Sequence, residues 1–451
     1  MNASLIADGR TIVAVSTSQG RSALAIVRVS GRDVPMIAAA LLTPVPTVPR
    51  RATRCTVMDA AGSPLDDAIA TRYVAPHSFT GEDLLEITTH GGVLTPTLVM
   101  AAAVAAGARI AEPGEFTRRA VLNGKLDLLQ AEAIGDLIDS RSLAAHTLAI
   151  RQLDGGLSRR IDALRHELLE LEAQLAYDID FPEEDDGPIS RGRITSSARR
   201  LLGALNGLLM TGNQGALVHD GALVVLAGAP NTGKSSLFNA LLGERRAIVT
   251  EVPGTTRDAI EAVLDTPRWP LRLVDTAGLR ETGDLIEQLG IEVSSRYLAR
   301  ADVVLACVDT TDSAPLVDEL QRLTSASIIT VRTKADLLSE SDKFDAAIAV
   351  SASSGSGLAE LLHLIEDRLT RQHGVPVLDA PVLTRTRHRV AVTEATNELN
   401  QFLDAWIADA LPSSVAVTHI REAGRALSTL IGAVEIEEIL DVVFRNFCVG
   451  K

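Results

Sequence analysis

Short apolar runs rich in β-branched residues dominate the first third of the chain. Thr11–Val15 and Ala23–Val29 predict two strands joined by Gly20 and its polar neighbours. Leu84, Leu85 and Ile87 predict another strand, closed by Gly91 and Gly92. Residues 94–106 then take helical spacing and stop at Gly107. Arg28 interrupts an otherwise apolar strand, either as an edge residue facing water or as part of a pocket for a polar anionic ligand with Glu86 and Lys125, which spacing alone does not require. Strands and helices mixed over residues 1–118 predict a compact α+β domain.

From Asp127 to about Val218 the strand pattern disappears. Leu157, Ile161, Leu164, Leu168, Leu171 and Leu175 recur three and four apart, which puts one apolar stripe on a long helix. Asp178–Pro188 is acidic and proline-bearing, an exposed loop that ends this helix, and a further helix is expected over 190–214. Helical spacing returns near His388 and continues through Leu427, Leu430, Ile431, Val434, Leu440, Val443, Phe444 and Phe447. Between the two helical stretches, residues 221–372 alternate strands with helices, the pattern of an α/β domain with a mostly parallel sheet. The expected organisation is therefore an N-terminal α+β domain (1–118), a discontinuous helical bundle (119–218 and 374–451), and an α/β domain inserted at 219–373.

Composition narrows this picture. Of 451 residues 46% are hydrophobic and only 3% aromatic, so aliphatic side chains must fill the cores. A formal charge of −15 opposes a generally basic nucleic-acid binder, while leaving room for a local basic patch. Cys55, Cys307 and Cys448 are far apart and odd in number, which draws neither a disulfide framework nor a zinc site and fits a reducing cytosol. The first residues lack a basic segment followed by an apolar core, and no apolar run approaches the ~20 residues of a membrane span. A cytoplasmic protein with no membrane partner is expected.

The chemistry concentrates in the inserted domain. Gly228-Ala-Pro-Asn-Thr-Gly-Lys-Ser235 lies between the apolar run Leu223–Ala227 and a helix-forming segment, the setting of a phosphate-binding P-loop. Its glycines let backbone N–H groups turn inward around a phosphate, and the helix start adds positive potential. Lys234 would reach the β- and γ-phosphates and Ser235 would hold Mg²⁺. Thr256, in Gly254–Asp258, falls where a switch segment would give Mg²⁺ a second hydroxyl. Asp275 ends a strand, within reach of Mg²⁺ through water, and the Gly278 amide would meet the γ-phosphate. In Thr333-Lys-Ala-Asp336 the carboxylate can accept from guanine N1 and N2, a donor pair adenine lacks, and Ser351–Ser353 would offer amides to O6. The residue after Asp275–Gly278 is Leu279, which cannot orient water as the glutamine of Ras-like GTPases does. Glu281, Asp284, Glu287 and Glu292 follow, and spacing does not choose among them.

Gly-x-Pro-Asn-x-Gly-Lys-Ser, Gly-Thr-Thr-Arg-Asp, Asp-Thr-Ala-Gly-Leu-Arg-Glu, the Pro113–Thr117 block and the terminal Phe447-Cys-Val-Gly-Lys451 together resemble the MnmE (TrmE) family over nearly the whole chain. The resemblance implies a folate-binding-like N-terminal domain, a split helical bundle and a Ras-like GTPase domain. It further implies nucleotide contacts from Asn231, Thr232, Gly233, Lys234, Ser235 and Ser236, and from Thr250, Glu251, Val252, Pro253, Gly254, Thr255 and Thr256. Asp275, Thr276, Ala277, Gly278, Thr333, Lys334, Asp336, Ser351, Ala352 and Ser353 complete that set. It implies K⁺ held by Asn231, Thr250, Val252 and Thr255, acting with GTPase-domain dimerisation in place of an arginine finger. Glu287 would orient water, Cys448 would serve the modification chemistry, and Arg28, Glu86, Lys125 and Lys451 would bind a 5-formyl- or methylene-tetrahydrofolate. The implied reaction adds a carboxymethylaminomethyl-type group to C5 of the wobble uridine (position 34) of certain tRNAs. A homodimer would carry it out in a heterotetramer with an FAD-dependent, MnmG-type subunit. Two stretches depart from the family pattern. Gly20–Ala25 replaces a glycine-rich loop before Arg28, and Thr333 replaces the usual asparagine, where losing one tie to the base or P-loop is expected to cost about 1 kcal/mol.

Overall fold

A computed structural model describes residues 9–18, 20–180, 190–244, 260–275, 296–309, 313–337, 346–408, 412–432 and 450. The chain divides into two compact units, residues 1–135 with 428–451, and residues 136–427.

The first unit is built on seven strands: β1 (Ile12–Val15), β2 (Leu24–Ser30), β3 (Leu42–Thr43), β4 (Thr53–Met58), β5 (Pro64–Tyr73), β6 (Leu84–His90) and β7 (Arg109–Ile110). Their order is β3-β4-β5-β6-β2-β1-β7, antiparallel except for the parallel β1–β7 pair. Side chains alternate between the faces of the sheet. Val27, Val29, Leu85 and Ile87 share a core with helices α1 (Val34–Leu41) and α2 (Leu94–Ala105). Ile12 and Ala14 instead pack with Phe116, which is carried by α3 (Glu115–Leu122). A fourth helix, α4 (Leu128–Asp139), runs across the division between the units.

The Pro113–Thr117 block, polar in sequence, forms the buried electrostatic centre of this unit. Glu115 has no exposed side-chain surface; Arg109 grips it at 2.6 Å and Arg119 at 2.9 Å, and Arg119 also reaches Glu82 at 3.1 Å. Burial pushes the Glu115 carboxyl up, but hydrogen bonds from Arg109 and the Glu112 amide, with the two guanidinium charges, hold it below its ordinary range.

The second unit joins helices to a six-stranded sheet. Helix α5 (Leu143–Leu153) leads into α6 (Gly156–Asp180), on which Leu157, Ile161, Leu164, Leu168, Leu171 and Leu175 are all buried, as their spacing predicts. Helix α7 spans Arg191–Asp220, six residues beyond the expected end at 214. Small residues permit that extension, since a Cβ at Gly215 would lie 2.2 Å from the carbonyl oxygen of Leu383. Gly221 (φ +81) turns the chain directly into β8 (Ala222–Ala227). Then come α8 (Lys234–Glu244), β9 (Ile260–Leu264), β10 (Leu271–Asp275), β11 (Val303–Val308), α9 (Ala314–Leu323), β12 (Ser327–Arg332), β13 (Ile348–Ala349) and α10 (Leu358–His373). Helices α11 (Thr386–Ile407) and α12 (Ser413–Ile431) close the described chain. Strand order is β13-β12-β11-β8-β10-β9, parallel but for β9. The core beneath this sheet also takes in Ala144, Leu148, Val218 and Val382, so the helical segments and the sheet share one apolar cluster. No helix among the described residues is long and apolar enough to cross a membrane.

Candidate nucleotide site

All six residues of β8 are buried, and the P-loop starts where that strand ends. Gly228 is required there. Its φ is +153°, and a Cβ would stand 2.3 Å from the carbonyl oxygen of Cys307 on the neighbouring β11. Asn231 and Gly233 also take positive φ, at 64° and 87°. Lys234, only 5% exposed at the start of α8, turns its ammonium back into the loop and donates to Gly228 O (2.9 Å) and Ala229 O (2.7 Å). A cradle with no room for a side chain and a buried lysine amine at a helix start suit an anionic phosphate chain. Ser235 and Ser236 are exposed in the first turn of α8. Asp275 ends β10 in register with Leu226, which brings its buried carboxylate to the mouth of the loop.

The base side assembles on the ends of β12 and β13. Lys334 (φ 55°) donates from Nζ to Asn231 O at 2.8 Å and to Asp309 Oδ2 at 3.1 Å. Thr333 Oγ1 donates to Thr232 O at 2.5 Å, with Val308 O a second acceptor at 3.2 Å. The substituted threonine thus keeps a bond to the P-loop. Asp336 is exposed in a short 3₁₀ turn and accepts the Ser351 hydroxyl at 2.6 Å. That bond holds its carboxyl below the usual range, as an anionic acceptor for two N–H donors. The Ser351 amide already donates to Ser356 O, so of the three amides expected at O6 this one is engaged within the turn.

Thr250 to Thr256, Thr276 to Gly278, Glu287, Cys448 and Lys451 lie outside the described residues. Cys307 is fully buried beside the loop, and burial pushes its thiol up to about 12, so it is an inert packing residue.

In the first unit, Arg28 stands opposite Glu86 in the β2–β6 register and pairs with it at 2.7 Å. It is no edge residue, because its guanidinium lies 5.3 Å from the Phe79 ring centre and 5.7 Å from that of Phe116. Tyr73 donates to Glu86 at 3.4 Å; burial, then the Glu86 charge, raises its phenol. Lys125 is not drawn into this pair. Its ammonium donates to Pro76 O at 3.1 Å. Phe116 belongs to the Pro113–Thr117 block, but nothing in the sequence marks it, Tyr73 or Phe79 as a neighbour of Arg28 and Glu86. Gly450 docks in the same unit, with Ser16 Oγ donating to its carbonyl at 2.9 Å and Val15 O 2.5 Å from where a Cβ would stand.

A glycine cradle with a buried lysine, set between a central parallel strand and a helix and facing a guanine-type carboxylate, defines a P-loop GTPase. Comparison with known proteins refines the class. A family model described as the MnmE helical domain matches residues 128–448, and one described as the GTP-binding protein TrmE N-terminus matches residues 11–125. The tRNA modification GTPase MnmE of Aquifex aeolicus (strain VF5) is 38% identical over 450 residues, covering 98% of this chain and 99% of the relative. Its counterpart from Azoarcus sp. (strain BH72) is 41% identical over 450 residues, covering 98% of each. The G domain of the T. maritima FeoB iron transporter aligns at 27% identity over 33% of this chain and 98% of its own, with a TM-score of 0.26. The chain belongs to the MnmE (TrmE) family of tRNA modification GTPases.

Proposed function

We propose that this protein is a K⁺-activated, dimerisation-dependent GTPase of tRNA wobble-uridine modification. The observation that carries this reading is the nucleotide site just described, in a chain aligned to tRNA modification GTPases over 98% of its length. Lys234 and the loop amides bind and orient the GTP phosphates, and Asp336 selects the base. Ser235 and Thr256 would hold Mg²⁺, and Asn231, Thr250, Val252 and Thr255 would hold K⁺, the two cations supplying positive charge to the phosphoryl group in flight. Asn231 suits its part, being exposed at the loop's left-handed turn with its carbonyl fixed by Lys334. With Leu279 unable to position water, Glu287 takes that role once two GTPase domains meet.

The N-terminal α+β domain (1–118) binds a one-carbon tetrahydrofolate at Arg28 and Glu86, with Lys125 just beyond its end and Lys451 contributing from outside it, and mediates homodimerisation. Support comes from Gly450, seated on Val15 and Ser16, one residue along β1 from Ala14, which pairs with Arg28. That seat favours a tail whose Cys448 works beside the folate. GTP hydrolysis in domain 219–373 would move the bundle (119–218 and 374–451) at both junctions. An FAD-dependent partner would supply the redox step and much of the tRNA contact, as the −15 charge suggests.

GTP turnover in KCl against NaCl, for wild type and Glu287→Ala, tests the mechanism. Faster turnover in KCl and a Glu287→Ala enzyme that binds GTP but hydrolyses it at least about a hundredfold more slowly are expected. Equal rates in the two salts would remove K⁺ from the proposal.

A further inference from the structure

Thr333 lies between the P-loop and the turn that carries Asp336, and both its hydroxyl and its backbone N–H are already donated. The residue is 3% exposed, and its single hydroxyl proton is directed to Thr232 O at 2.5 Å, with Val308 O beside it at 3.2 Å. Its backbone N–H donates to Val308 O at 3.0 Å. The next cation, Lys334, is tied to Asn231 O and Asp309.

The rest of the base site fixes which edge of the purine faces this residue. Asp336, held by Ser351, takes the N1–H and N2–H₂ donors, and O6 is expected at the Ser351–Ser353 turn. The acceptor that shares an edge with O6 is N7, on the ring that bears the ribose. The ribose must lead to the P-loop, so N7 falls between Ser351–Ser353 and Gly228–Ser235. Thr333 bridges that interval, three residues before Asp336 and bonded to Thr232 of the loop. An N7 reader there needs a second donor, which a carboxamide side chain offers and a committed hydroxyl does not.

We propose that this GTPase recognises guanine through N1, N2 and O6 but not N7, and that Thr333 sets this specificity by giving its only side-chain proton to the P-loop. The proposal rests on the guanine-site reading above. A chain of this kind accepts nucleotides altered at N7 that a carboxamide-bearing site would refuse.

The test is competition of GTP, 7-deaza-GTP and ATP against a fluorescent GDP analogue bound to the full-length protein. Wild type is expected to bind 7-deaza-GTP within about twofold of GTP while rejecting ATP. Thr333→Asn should restore a preference for GTP over 7-deaza-GTP of about fivefold, the size of one net hydrogen bond. Thr333→Val removes the P-loop bond without adding a donor, so it should weaken both guanine nucleotides equally and leave their ratio near one. A wild-type preference for GTP over 7-deaza-GTP of fivefold or more would overturn the proposal, as would a Thr333→Asn ratio that stays at one. Rejection of ATP is read separately: if ATP competes as well as GTP, the guanine-site reading itself fails.

Discussion

The junction between the helical segments and the GTPase sheet should lose stability as pH rises above neutral, through His219. This histidine lies at the end of α7, with Nε2 3.0 Å from Asp136 and Nδ1 2.7 Å from Asp220. Arg385, at the start of α11, also binds Asp136, and Asp139, Arg141 and Arg272 line the adjoining cavity of about 430 Å³. Burial pulls the imidazole down, but the two carboxylates outweigh it and push its pKa from 6.5 up to about 9. Folding therefore takes up a proton between those values, so the contribution is complete below pH 6.5 and is lost as pH rises through 9. A shift of that size corresponds to about 3 kcal/mol at most, or about 6 °C in melting temperature for a unit of this length. Thermal melts of wild type and His219→Gln from pH 6 to 9.5 test this. The wild-type advantage should be largest at pH 6 and close to zero at pH 9.5. An advantage that does not change with pH would show that His219 is not held as an imidazolium.

Glu115→Gln should cost the first unit about 3 kcal/mol, because it sets Arg109 against a neutral group and leaves the buried Arg119 with Glu82 as its carboxylate partner; urea unfolding measures the loss. Gly228→Ala should abolish GTP binding and destabilise by about 2 kcal/mol or more, since the new methyl meets backbone at 2.3 Å. Gly243→Ala, in the following helix with open space around it, should instead be neutral or stabilising by up to about 1 kcal/mol. Nucleotide titration and melting of the two variants side by side separate a cradle effect from a general loss of glycine.

Local periodicity carried most of the fold. The stripe from Leu157 to Leu175 and the apolar run before Gly228 each need only a few neighbouring residues to declare helix or strand, and both elements form where expected. Pairings across long separations were not legible. Arg28 and Glu86 can be grouped from the sequence as candidates for one pocket, but local spacing does not require it; their direct pairing across 58 residues follows from the β2–β6 register. His219 meets Asp136 across 83 residues, and Arg385 meets it across 249, so nothing local marked that cluster. Thr333 is intermediate. The substitution was plain in the sequence, but the carbonyl that takes its proton lies 101 residues earlier in the P-loop. The sequence identifies the changed residue, and the geometry shows that its tie to the P-loop is kept.

The same long-range pairings bear on how nucleotide state could reach the helical segments. Strand β10 carries Asp275 at one end and Arg272, beside His219 and Asp220, near the other. Three residues of extended chain separate the two, about 10 Å. The sheet holds that strand on both sides, through β8 in parallel and β9 in antiparallel pairing. A displacement of Asp275 along the strand axis would thus be passed toward the Arg272 end. At that end α7 enters the sheet at Asp220 and the chain leaves it at Leu383–Arg385, the two held together by Gly215 packing on Leu383 and by Asp136 bonded to both His219 and Arg385. The junction therefore combines a shared apolar cluster with charged hydrogen bonds, and of the two the charged bonds can exchange partners without unpacking a core.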